Sequence, residues 1–192
     1  MKSYYITGAE NLPRRTIIDC VYKAIHPLKL PYGTNALVSF FIDCLAALDS
    51  RNGTLFYLVT DEGYICASAF TYKAFSSDKS SPHLHILSVP QKYQGRGYGK
   101  EILKLALSQT SEDGNISAEC KIDIFPFFKK YGFNLKTTLQ HDDFGEMAKI
   151  HHGNNPEKNL FFKPILSEEY ADQYLKEYID YQNYIRQQKL SS

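Results

Sequence analysis

Two short segments of the chain carry residue types suited to chemistry. Tyr93-Gln94-Gly95-Arg96-Gly97-Tyr98-Gly99-Lys100 sets three glycines at alternate positions between a strand-like and a helix-like run. Glycine tolerates positive φ and lets the backbone approach a ligand closely. The helix that follows offers unpaired N–H groups and the positive end of its dipole, so the segment suits a phosphate. Arg96 and Lys100 add cationic charge beside it. Just upstream, His83 and His85 stand two apart on the strand-like run, and side chains at that spacing share one face. Imidazole titrates near neutral pH without perturbation, which suits it to take a proton from an amine. An amine needs this help because a lysine-like ammonium has a pKa of about 10.4.

Two familiar phosphate loops fail on these residues. A Walker A loop needs Ser or Thr after its lysine, and Glu101 follows Lys100. A Rossmann fingerprint needs glycine where Lys100 stands, and a βαβ unit near the start of the domain. The pattern left is Gln-x-x-Gly-x-Gly, Gln94 to Gly99, which resembles the acyl-CoA loop of the GNAT N-acetyltransferases. The resemblance extends from His83 to Phe133. The run His83–Val89 leads directly into the loop, and Pro126-Phe127-Phe128-Lys129-Lys130-Tyr131-Gly132-Phe133 is similar to the family's aromatic-rich helix closed by Gly-Phe. Locally the segment is most similar to the arylalkylamine (serotonin) N-acetyltransferases, through His-Leu-His, the glycine loop and the Pro-Phe-aromatic helix.

The resemblance implies a mixed α/β fold. Its central sheet is mostly antiparallel, flanked by helices, and splayed where acyl-CoA enters. It implies that the backbone of Leu87, Ser88 and Val89 pairs with the pantetheine arm. Gln94, Gly95, Arg96, Gly97, Tyr98, Gly99 and Lys100 would hold the pyrophosphate, and Phe127 and Phe128 would lie near the thioester. The Leu87 N–H would donate to the thioester oxygen, while His83 and His85 relay the proton of the amine through water. The family often protonates the departing thiolate with a Tyr four residues before the Gly of Gly-Phe. Phe128 stands there and has no proton to give, so Tyr131 or water is the substitute. The implied function is metal-free transfer of an acetyl group from acetyl-CoA to a primary amine of a small molecule, by direct attack. A protein or peptide acceptor, or a non-catalytic acyl-CoA sensor, is the alternative.

The elements that must position these residues are readable from periodicity and punctuation. Ser3–Thr7 predicts a strand, and Arg14–Ile25 a helix ended by His26-Pro27. Leu28–Thr34 reads as a loop. Leu37, Phe40, Phe41, Cys44, Leu45 and Leu48 recur at helical spacing, with Thr34 or Asn35 as cap and Gly53 beyond the end. Thr54–Thr60 and Tyr64–Lys73 predict a hairpin. Ser76–Pro82 is a polar loop, and the helix after the glycines runs to about Gln109. Ile116–Cys120 predicts a strand and Phe125–Tyr131 a short helix. Phe133–Leu139 and Leu160–Lys163 are expected to complete the sheet. Between them Gln140–Asn159 reads as a long polar loop, with His141, His151 and His152 solvated. Its Asp142, Asp143 and Glu146 would draw in a cationic amine.

Residues 1–165 are expected to form the acyltransferase domain and 166–192 a C-terminal helical extension. In the extension Tyr170, Tyr174, Tyr178, Tyr181 and Ile185 make one helical stripe, seated either on the domain or on a second subunit of a homodimer. The length of 192 residues suits a single domain with such an appendage. The net charge of +1 carries no basic face for nucleic acid, and no apolar run suits a signal peptide or a membrane span. The four cysteines, Cys20, Cys44, Cys66 and Cys120, lack metal-ligand spacing and read as free thiols of a cytoplasmic protein.

Overall fold

A computed structural model describes residues 1–8, 12–73, 82–110, 115–142, 144–153 and 168–190. Seven strands form one sheet: β1 (Lys2–Thr7), β2 (Gly53–Val59), β3 (Ile65–Tyr72), β4 (His83–Ser88), β5 (Ile116–Lys121), β6 (Phe133–His141) and β7 (Gly145–His152). Their spatial order is β1-β2-β3-β4-β5-β7-β6. Every neighbouring pair is antiparallel except β4 and β5, which are parallel. The mixed fold with flanking helices expected from the sequence is the one found.

The sheet divides two cores. On one face α1 (Arg14–Ile25), α2 (Lys29–Asp49) and α5 (Glu168–Leu190) bury Ile17, Val21, Phe41, Leu45 and Leu48 against Phe70 and Ile86. On the other face α3 (Tyr98–Thr110) and α4 (Phe125–Lys129) bury Ile102, Leu103 and Phe128 against Leu84, Ala118 and Phe133. Helix α5 lies on its own domain. Tyr174, Tyr178 and Tyr181 are buried there, whereas Tyr170 is exposed. Arg14 of α1 is clamped between Glu177 of α5 at 2.7 Å and Asp49 of α2 at 2.6 Å. The Tyr174 hydroxyl donates to Asp49, and that of Tyr181 to Asp19.

Two expectations are corrected. The loop expected over Leu28–Thr34 is mostly helical, because α2 begins at Lys29 and breaks only at Gly33, where φ is 80° and ψ 176°. Pro31 falls in the first turn, where a missing N–H has no intrahelical acceptor to lose. Among the described residues of the long loop expected over Gln140–Asn159, most are strand, since β6 runs to His141 and β7 covers Gly145–His152; residues 154–159 lie outside the described residues. Strand β7 lies between β5 and β6, with Ala148 and Ile150 fully buried on the α3 face. Its Glu, Lys and His residues mask that alternation. Accordingly His151 and His152 are partly buried in a strand rather than solvated, and the His141 ring stacks on Phe144 at 4.3 Å. The strand expected at Leu160–Lys163, and all of the Ser76–Pro82 loop except Pro82, lie outside the described residues.

Candidate active site

Strands β4 and β5 pair at only two positions, His83 with Ser117 and Leu84 with Ala118. Beyond these the strands part, and a cavity of about 1090 Å³ opens between them. Its walls are His83–Val89 on one side and Ala118–Lys121 on the other. Phe128 lines it from α4, and Tyr32, Phe40 and Phe144 add further aromatic rings to its lining.

A one-residue bulge controls what β4 presents to this cavity. Thr71 pairs with Leu84 but Phe70 pairs with Ile86, so His85 is the extra residue. The side chains record the shift. Leu84 lies in the α3 core, whereas Ile86, two residues on, lies in the α1–α2 core. His83 and His85 share the α1–α2 face, with ring centroids 6.0 Å apart. The backbone shifts in step. The Pro82 carbonyl accepts from the Ser117 N–H, so positions 82 and 84 face β5 before the bulge. After it the count inverts, and the alternation turns the Leu87 N–H and C=O toward the gap.

The two histidines differ in environment. His83 is 8% exposed, and its Nδ1 lies 2.9 Å from the Ser117 hydroxyl oxygen. Burial, with smaller contributions from His85 and Lys149, lowers its pKa to about 3. His85 lines the cavity between Phe40 and Tyr72, whose rings lie 5.3 and 5.4 Å away. Its Nε2 lies 3.3 Å from Asp43 Oδ2 in a geometry that falls short of a hydrogen bond. Sequence reasoning missed Asp43, though a signal was present: it is the one charged residue between Ala36 and Leu48 on a helix that faces the core.

The state of His83 has a measurable consequence. The unfolded chain protonates this side chain near pH 6.5, and the folded chain does so only near pH 3. Between these values the unfolded state binds more protons, so stability falls as pH falls through the window. From pH 6.5 to 5 the loss from this group is about 2 kcal/mol, at ~1.4 kcal/mol per unit. Urea denaturation of wild type and His83→Gln should differ in slope against pH by this amount. Equal slopes would show that His83 is not held neutral.

The glycine loop joins β4 to α3. Gly95 and Gly97 have φ of 75° and 84°, and a Cβ added at either would meet nothing within 4 Å. Gly99 instead packs near Phe127 and Val89, each 3.6 Å from where its Cβ would be. The Gln94 side-chain amide donates to the Val89 carbonyl at 3.1 Å, tying the loop to the end of β4. The Ser88 hydroxyl bonds to the Ala24 carbonyl and tethers β4 to α1. Helix α3 starts at Tyr98, so its first N–H groups have no partner within the helix. Arg96 and Lys100 are exposed beside them.

On α4, Phe128 is 4% exposed and reaches the cavity. Phe127 sits under Gly99, toward the loop. Tyr131 packs on Phe127 at 5.1 Å and is not among the residues that line the cavity. Cys120 lines the cavity, but burial and Asp123 push its thiol up to about 12, so it stays protonated. Among the described residues no cluster of His, Cys, Asp or Glu could hold a metal ion, and no helix is long and apolar enough to cross a membrane.

Comparisons with known proteins agree with this architecture. No curated protein matches the chain in sequence. Escherichia coli ElaA superposes with a TM-score of 0.61 at 11% identity, over 79% of this chain and 98% of its own. Tetrahymena GCN5 superposes at 0.56 and 11% identity, over 85% and 99%. Ard1 from Thermoplasma volcanium superposes at 0.55 and 17% identity, over 79% and 97%. At such identities the likeness is one of fold. The model of the acetyltransferase (GNAT) domain matches residues 38–147, more than half of the chain and most of the cavity wall. The chain belongs to the GNAT acetyltransferase family.

Proposed function

We propose that the protein is an acetyl-CoA-dependent N-acetyltransferase whose acceptor is a primary amine on a small molecule. The observation that carries this reading is the parting of β4 and β5 directly beside the glycine loop. The residues present fit the co-substrate. Gly95 and Gly97 leave bare backbone open to a pyrophosphate, with Arg96, Lys100 and the start of α3 around it. Leu87–Val89 offer a strand edge to the pantetheine arm. When bound, acetyl-CoA supplies an activated acyl group as a thioester.

The chain's own residues divide the remaining work. His85 opens on the cavity and takes the proton of the amine. His83, held neutral, fixes the neighbouring wall through Ser117. The Leu87 N–H faces the gap as a preorganised donor to the carbonyl oxygen. Helix α4 offers no proton at the thiolate, because Phe128 occupies the lining position and Tyr131 turns to Phe127. A thiol with pKa of about 8.5 leaves readily without such help.

A small acceptor is favoured over a polypeptide by one contact. Tyr32, at the start of α2, meets Phe144, beside β7, edge to face at 5.5 Å. Both rings line the cavity, and their contact joins two separate elements of its wall where an open groove would have to keep them apart. The local likeness of His83–Phe133 to arylalkylamine N-acetyltransferases supports the same class, and the four free thiols suit a reducing cytoplasm.

A panel of primary amines assayed for thiol release with acetyl-CoA tests the reading. Acetyl-CoA at about 100 times its Kd should also stabilise the fold by about 2.7 kcal/mol, and ATP, GTP or NAD by far less. Binding without thiol release from any amine would point to a sensor instead.

A further inference from the structure

We propose that Asp43 is a positioning residue that fixes the orientation and tautomer of His85, an inference that rests on acetyl transfer to an amine as the reaction. The two side chains come from different elements, Asp43 from α2 and His85 from the bulge in β4. Both are deeply placed, with 9% of the His85 side chain and 13% of the Asp43 side chain exposed. A carboxylate so far from water is unfavourable unless it is paired or hydrogen-bonded. The cation-capable group set against it is His85, whose Nε2 is fully shielded from solvent and 3.3 Å from Oδ2.

This arrangement assigns the ring nitrogens different tasks. A proton placed on Nε2 faces Asp43 Oδ2, which leaves Nδ1 as the acceptor of a ring that lines the cavity. When Nδ1 takes a proton from the amine, the new charge forms on a ring whose other nitrogen faces the Asp43 carboxylate. The other groups against His85 do not compete for this role. Tyr72 of β3 has its phenol pushed up by burial and by Asp43, so it remains neutral. His83 of β4 is neutral, and Phe40 of α2 is apolar. Glu119, on the β5 wall of the cavity, is 3.6 Å from Lys149. The bulge is what brings the pair together, because it puts His85 and Ile86 on the helix face in succession.

The test uses Asp43→Asn, which keeps the shape of the side chain, and Asp43→Glu, which keeps the charge. In Asp43→Asn the kcat should fall about tenfold, with acetyl-CoA affinity and acceptor KM little changed. Asp43→Glu should regain part of the loss. Asp43→Asn combined with His85→Gln should be no slower than His85→Gln alone, since the carboxylate acts through the ring. Nitrogen-15 NMR of the imidazoles reads the same pair without turnover. Neutral His85 should carry its proton on Nε2 in wild type and lose that preference in Asp43→Asn. An unchanged kcat with an unchanged tautomer in Asp43→Asn would overturn the proposal. A wild type that releases no thiol with any amine would sink the acetyl-transfer reading instead, while the tautomer still decides whether Asp43 governs the ring.

Discussion

Replacing His85 with glutamine should lower kcat for an amine acceptor by about 10²-fold, the range expected when a positioned general base is lost. Acetyl-CoA affinity should stay nearly intact. His85 lies on the α1–α2 face of the sheet, whereas the glycine loop and α3 lie on the other side of β4. Glutamine keeps the size and polarity of the side chain but cannot accept a proton near neutral pH. His83→Gln should cost much less at neutral pH, since a group with a pKa of about 3 is already a poor base there. The double variant should therefore match His85→Gln rather than exceed it greatly. Steady-state kinetics on the three variants, with calorimetry of acetyl-CoA binding, reads all of this. Wild-type turnover in His85→Gln would move the base elsewhere or leave the proton to solvent.

The Gly97→Glu substitution should weaken acetyl-CoA binding by more than tenfold, or about 1.4 kcal/mol. At φ of 84° the new residue is strained, and its carboxylate would stand on open backbone beside Arg96 and the start of α3. The charge opposes a pyrophosphate directly and also occupies its route. Gly97→Ala provides the comparison, because it shares the backbone strain and lacks the charge. Circular dichroism should confirm the fold before either titration. Unchanged affinity in folded Gly97→Glu would mean that the loop does not hold the pyrophosphate.

What the sequence disclosed was local in origin. The glycine loop, the α3 helix after it and the aromatic turn closed by Gly132 announce themselves within a few residues, and the structure has elements there. The amphipathic stripe from Leu37 to Leu48 was equally plain, since one face of it fills the core. Strand β7 was hidden because Glu146, Lys149, His151 and His152 outweigh Met147, Ala148 and Ile150 in any reading by polarity. Burial between β5 and β6 is a tertiary fact that no short window contains. Asp43 and the Tyr32–Phe144 bridge were missed for a related reason. Each gains its meaning from a partner at least forty residues away in the chain.

The bulge at His85 also gives β4 one residue of slack. Removal of His85 would close the ladder with β3 while Ile86 stayed opposite Phe70 and Leu87 opposite Ala69. Leu87 would then keep its backbone toward the gap and Ile86 its place in the α1–α2 core. What would be lost is the ring set against Asp43. A second deletion would find no extra residue to absorb it, and every position beyond the cut would exchange faces. The strand can thus be shortened by one residue without losing its phase, but not without losing its histidine.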